Sequence, residues 1–75
     1  MPTLKAFSNA RVLVYFDDHP PPHVHIKMRD QRDSSVDLAT LEVKGTVPER
    51  EIREALSWIE ANLGLLRDEW KRCNP

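Results

Sequence analysis

Residues 17–29 read DDHPPPHVHIKMR, and this stretch holds all three histidines of the 75-residue chain. From position 23 onward it alternates strictly between polar and apolar side chains. Because successive side chains of a β-strand point to opposite faces, the alternation predicts a half-buried strand over residues 23–29. The predicted core face holds Val24, Ile26 and Met28, and the opposite face holds His23, His25, Lys27 and Arg29.

Three consecutive prolines, residues 20–22, separate His19 from this strand. Proline fixes φ near −65° and favours the extended polyproline II conformation. An extended run at ~3.1 Å per residue would put His19 on the order of 12 Å from His23, although a cis X-Pro bond or a bend would shorten that distance. His23 and His25 share a strand face with Cα atoms roughly 6.6 Å apart. We therefore expect a His23–His25 pair, with His19 held away from it.

The segments before and after this stretch complete an antiparallel sheet. Residues 3–7 predict a first strand and residues 11–16 a second. The second strand should have Val12, Val14 and Phe16 on its core face and Arg11, Leu13 and Tyr15 on the other. Residues 30–34 are polar and predict a hairpin loop. The apolar alternation resumes over residues 36–38 and 41–44, and its phase slips at residues 39–40, which predicts a tight turn or a bulge before a final strand ending at Gly45.

A continuous helical stripe is the clearest pattern of the C-terminal half. We expect one helix from Pro48 or Glu49 to about Lys71, which Asn62 and Gly64 weaken without breaking. Its stripe consists of Ile52, Leu56, Ile59, Leu63, Leu66 and Trp70. Trp58 and Leu65 lie beside this stripe, as its widened flank or as a partner surface. The expected fold is a single α+β domain over residues 1–75, a small antiparallel sheet of three to four strands packed against a long C-terminal helix.

Composition narrows the class of protein. The formal net charge of −1 gives no global attraction to nucleic acid or anionic membranes. A single cysteine excludes an intramolecular disulfide and suits a reducing compartment. No run is long and apolar enough for a signal peptide or a membrane span. We therefore expect a cytoplasmic protein that does not enter membranes.

Several motifs together resemble a known family. They are the opening MPTL, Tyr15-Phe16, the signature from Asp18-His19 through Pro21-Pro22-His23-Val24-His25, Gly45 with Pro48, and Trp58-Ile59 with Asn62 and Trp70. The chain resembles the small prokaryotic family catalogued as domain of unknown function 4160, in which Phe is more common at the position of Val24. The resemblance implies a cytoplasmic protein whose gene neighbours that of another small protein, as in a toxin–antitoxin-like pair. It supplies no catalytic residues.

Metal binding is one function that the residues support. Two imidazoles two residues apart on a strand can bind one cation, and zinc accepts both nitrogen and carboxylate ligands. Lys27, on the same face, would repel a cation near the far end of the strand. The candidate metal ligands are His23, His25, His19, Asp17 and Asp18.

Two other functions use the same stretch without a metal. Two histidines can act as general base and acid in RNA cleavage, with Lys27 or Arg29 stabilising the charge on a phosphorane. Alternatively, the protein is an interaction module for a neighbouring small protein or a second copy of itself, and the histidines order the loop by hydrogen bonds. The interaction module requires the fewest assumptions about the residues. The candidate binding residues are His19, His23, His25, Lys27, Arg29 and Tyr15.

Overall fold

A five-stranded antiparallel sheet forms one layer of the computed structural model, which describes residues 3–75. The strands are β1 (Thr3–Ala6), β2 (Ala10–Leu13), β3 (His23–Met28), β4 (Asp33–Asp37) and β5 (Val43–Gly45). Each strand is hydrogen-bonded to its neighbour in the chain. The α+β class and the antiparallel sheet are confirmed, while the expected count of three to four strands is too low.

The phase slip at residues 39–40 is a turn that separates two strands. The Asp37 carboxylate accepts hydrogen bonds from the backbone N–H groups of Ala39 at 2.7 Å and Thr40 at 3.1 Å. Leu41 follows with a φ of 63°, in the left-handed region. An aspartate side chain that bonds the backbone two residues on is a common way to close a turn. β5 then pairs with β4 at the sheet edge.

The C-terminal half forms two α-helices separated at Asn62, so the prediction of one long helix is only roughly right. A 3₁₀ helix (Glu49–Glu51) precedes α1 (Arg53–Ala61) and α2 (Leu63–Cys73). Asn62 interrupts the helix because its side-chain Nδ2 donates to the Trp58 carbonyl oxygen at 2.8 Å. The Asn62 backbone N–H bonds the Ile59 carbonyl instead, at 3.1 Å. Neither described helix is long and apolar enough to cross a membrane.

The core lies between one face of the sheet and the two helices. On β3 the predicted alternation is confirmed, because Val24, Ile26 and Met28 are buried. The helical stripe is also confirmed across the Asn62 break. Ile52, Ile59, Leu66 and Trp70 are buried, while Leu56 and Leu63 are half-buried and pack against the same core.

The second strand ends earlier than predicted, and this changes which side chains it buries. β2 stops at Leu13, and the chain turns at Phe16 and Asp17. Phe16 was expected on the core face but is 55% exposed, whereas Leu13, expected on the opposite face, is buried. A strand that stops at Leu13 no longer imposes the alternation on the residues after it.

Trp58 and Leu65 do not share one environment. Trp58 is half-buried and packs against the core, which agrees with a flank of the stripe. Leu65 is 51% exposed. Trp58 and Leu65 therefore do not form one continuous exposed apolar strip.

Candidate metal centre

The loop between β2 and β3 carries a carboxylate back over the start of β3. The Asp18 backbone N–H donates to the Asn74 side-chain oxygen, and the Asp17 N–H donates to the Cys73 carbonyl at 3.5 Å. Asn74 also donates from its side-chain nitrogen to the Tyr15 carbonyl at 3.2 Å. The end of α2 therefore fixes the position of the loop and of the Asp18 side chain.

Asp18, His23 and His25 form one compact cluster, which we call the His–Asp cluster. Asp18 Oδ2 lies 2.9 Å from His23 Nε2 and 3.1 Å from His25 Nε2. One ligand atom from each residue can be chosen so that all three lie within 4.8 Å of one another. Their side chains are 15–18% exposed, so the cluster is partly screened from solvent yet accessible. Strand alternation placed the two histidines on one face, and the structure shows them there with ring centroids 5.0 Å apart.

The two ring nitrogens of His23 both face oxygen acceptors. His23 Nδ1 lies 2.7 Å from the Pro21 carbonyl oxygen, which can only accept a hydrogen bond. In a neutral ring, the proton must then be on Nδ1, and Nε2 presents a lone pair. That lone pair points toward the Asp18 carboxylate oxygen only 2.9 Å away. His23 Nε2 and Asp18 Oδ2 are therefore close enough to bind one metal cation together.

The electrostatics of Asp18 favour its charged form. Partial burial raises its pKa, but the hydrogen bonds from His25 and from the backbone N–H of His19, together with the charge interactions with His23 and His25, lower it by more. The net result is a pKa below the usual value of 3.8. Asp18 is therefore ionised at neutral pH and can serve as an anionic ligand.

His19 is closer to the cluster than an extended proline run allows, so that expectation is wrong. Its ring centroid is 5.9 Å from that of His23, and its Nδ1 is 3.3 Å from Asp18 Oδ1. The Pro20–Pro21 peptide bond is cis. The His19 N–H bonds the Asp18 carboxylate, so local hydrogen bonds fold the loop. The His19 side chain nevertheless remains 87% exposed. It contacts Asp18 Oδ1, whereas His23 and His25 contact Oδ2.

The remaining predicted site residues lie in three places. Asp17 is exposed and adopts a φ of 54° in the turn, outside the His–Asp cluster. Tyr15 packs against the His25 ring edge-to-face, with centroids 4.3 Å apart. Lys27 and Arg29 line a groove at the other end of β3. Lys27 is four residues from His23, about 13 Å along a strand at 3.3 Å per residue.

Sequence reasoning missed two residues that shape the site. Trp70, predicted only as part of the helical stripe, packs against the His23 ring with centroids 4.9 Å apart. Asn74 anchors the Asp18 loop, as described above. Both contacts join positions about fifty residues apart in the chain. No local pattern in the sequence signals such contacts, because they arise only when α2 packs on the sheet.

The fold and the site together define a small α+β protein whose His–Asp cluster lies beside a proline-rich loop. The chain belongs to the family described as domain of unknown function (DUF4160), whose model matches residues 10–71. This confirms the family resemblance that the proline–histidine signature predicted. No curated protein and no solved structure matches the chain.

Proposed function

We propose that the protein binds a divalent metal ion through Asp18, His23 and His25. The observation that carries the proposal is the convergence of His23 Nε2 and His25 Nε2 on one carboxylate oxygen. Zinc bonds imidazole nitrogen and carboxylate oxygen at about 2.0–2.2 Å, so small side-chain shifts let three atoms this close share one ion. Two histidines and one carboxylate are also a ligand set for Fe²⁺.

The surroundings of the cluster support the same proposal. The Pro21 carbonyl oxygen accepts a hydrogen bond from the Nδ1–H of His23 and thereby orients Nε2, the role that outer-shell acceptors have at metal-binding histidines. Tyr15 and Trp70 fix the two rings by packing. Three protein ligands leave a position for water or substrate, which is the arrangement of catalytic rather than closed structural zinc sites.

Zinc titration of single-residue variants tests this function. We expect one Zn²⁺ per chain by native mass spectrometry. By calorimetry, His23→Ala and His25→Ala should each weaken affinity by about a hundredfold or more, the upper end of what even an outer-shell change costs. His19→Ala is the matched control because it removes an imidazole from the same loop, and it should cost less than tenfold. A Fe²⁺ titration without oxygen compares the two metals.

Circular dichroism of each variant without metal separates loss of ligand from loss of fold. Equal weakening by His19→Ala would contradict the assignment of ligands, and no binding by the folded wild type at micromolar zinc would contradict the function.

A second candidate function is a protein-interaction module in a cytoplasmic, toxin–antitoxin-like pair of prokaryotic proteins. The observation that favours it is Phe16, a large apolar side chain that is 55% exposed and lies in the same β2–β3 loop as three exposed prolines. The partner would be the small protein encoded by the neighbouring gene, or a second copy of this chain. Phe16→Ser should weaken binding of the co-expressed partner at least tenfold, whereas Leu65→Ser, at similar exposure on α2, should not. Equal effects of the two variants would exclude the loop as the contact.

Metal-free RNA cleavage has less support. Of the two cations that could serve this mechanism, Lys27 lies two residues from His25 but about 13 Å along the strand from His23, and Arg29 lies beyond the end of β3. Both histidines also contact the same oxygen of Asp18, instead of standing on opposite sides of a space for substrate. If the wild type cleaved labelled RNA in the presence of chelator and the His25→Ala variant did not, metal-free RNA cleavage would be supported.

A further inference from the structure

A groove of about 320 Å³ lies at the end of β3 remote from the His–Asp cluster. Three cationic side chains line it, Arg11 of β2, Lys27 of β3, and Arg29 just after β3, together with the apolar Phe7 and Met28. No aspartate or glutamate is among its lining residues. Its size is at the lower end of small-molecule sites, which are about 300–1,000 Å³.

The positive charge of this groove is not neutralised within the part of the chain that the structure describes. Over residues 3–75, neither Arg11, Lys27 nor Arg29 forms an ion pair. The nearby carboxylates of Asp30 and Glu51 are both bound by Arg32. Asp33 lies opposite Lys27 in the β3–β4 register without reaching ion-pair distance.

The sheet register brings two of these cations side by side. Arg11 and Lys27 are directly opposite each other on β2 and β3. Like charges at directly opposed positions destabilise an antiparallel pair. A bound anion would offset that repulsion, because it would attract both cations and Arg29, which border the same groove.

We infer that this groove binds the phosphate of a nucleotide, either free or within an RNA strand. An arginine guanidinium can donate two parallel hydrogen bonds to phosphate oxygens, and a lysine adds a point charge. The half-buried Phe7 at this groove suits the uncharged part of such a ligand better than a bare inorganic ion. The site is independent of the metal centre, which contains none of these residues.

Fluorescence anisotropy with a fluorescein-labelled octauridylate tests the groove. For single strands the logarithm of affinity falls with the logarithm of salt by about 0.7 per phosphate contact, so three contacts predict a slope near −2. Raising salt from 50 to 200 mM should then weaken binding by roughly 20-fold. The variant R11Q/R29Q should bind about tenfold more weakly and lower the slope by about 1.4. Its zinc affinity and melting temperature should not fall.

The matched control is R53Q/K71Q, which removes the same charge from exposed positions on α1 and α2. It should retain wild-type affinity and slope. Competition by uridine monophosphate would identify a free nucleotide as the ligand, whereas binding of the octamer alone would identify RNA. An equal loss in the control variant, binding that does not depend on salt, or no binding of either probe at millimolar concentration would overturn the inference.

Discussion

Leu13 and Phe16 are three residues apart, are both large and apolar, and occupy opposite environments. Leu13 is 1% exposed, while Phe16 is 55% exposed. Leu13 ends β2 between Thr3 of β1 and His25 of β3 and lies outside the core cluster between the sheet and the helices. Phe16 follows the end of the strand and is free of that packing. The burial of each residue therefore depends on where β2 stops.

Truncating each side chain tests this assignment. Leu13→Ala should lower the free energy of unfolding by about 2–4 kcal/mol, because it removes a buried side chain and leaves a cavity. Phe16→Ala should change it by about 0.5 kcal/mol or less, since an exposed side chain loses little packing. Urea denaturation with tryptophan fluorescence measures both. A larger loss for Phe16→Ala would mean that the strand continues and buries Phe16, as the alternation alone predicts.

At the scale of the elements, the sequence predicts well wherever one periodicity runs without interruption. β3 alternates over six residues, and its burial follows the alternation at every position. The helical stripe likewise continues across both helices. The His23–His25 pair of the candidate site follows from β3 alone. Asp18 was one of three candidate additional ligands, and only the folded loop distinguishes it from Asp17 and His19.

Two of the elements that were predicted incorrectly are set by side-chain hydrogen bonds. The side-chain amide of Asn62 donates a hydrogen bond to the Trp58 carbonyl and interrupts the helix, although the apolar stripe shows no break there. The Asp18 loop folds back because its own carboxylate bonds the His19 N–H and because Asn74 accepts the Asp18 N–H from 56 residues away. Such bonds compete with regular backbone structure, and they produce no periodic pattern in a sequence.

At the scale of the whole molecule, one arginine joins the sheet layer to the helical layer. Arg32 lies in the β3–β4 hairpin and donates to the Glu51 carboxylate of the 3₁₀ helix, with N–O distances of 2.9 and 3.3 Å. Its Nε also bonds Asp30 within the hairpin at 2.8 Å. Asn9, in the β1–β2 turn, donates to the Glu51 carbonyl at 3.0 Å. The start of the helical segment is thus held to two turns at the same end of the sheet.

The pH dependence of stability tests the link between Arg32 and Glu51. The hydrogen bond from Arg32 is the largest influence on Glu51 and holds its pKa below the usual value of 4.5. A carboxyl whose pKa is lower in the folded state stabilises the fold above its unfolded pKa, and this contribution is lost as pH falls through the folded pKa. Arg32→Gln should therefore reduce the free energy of unfolding at pH 7, and the difference from wild type should shrink steadily below pH 4.5. Both groups are about one-third exposed, so salt should also reduce the difference at pH 7.

Urea denaturation of wild type, R32Q, E51Q and the double variant, at pH 7 and in acid, gives these quantities. At pH 7 the double variant should be no less stable than the less stable single variant, because removing either partner already breaks the bond. A difference between wild type and R32Q that stays constant into acid would show that Arg32 acts by packing and not through the carboxylate.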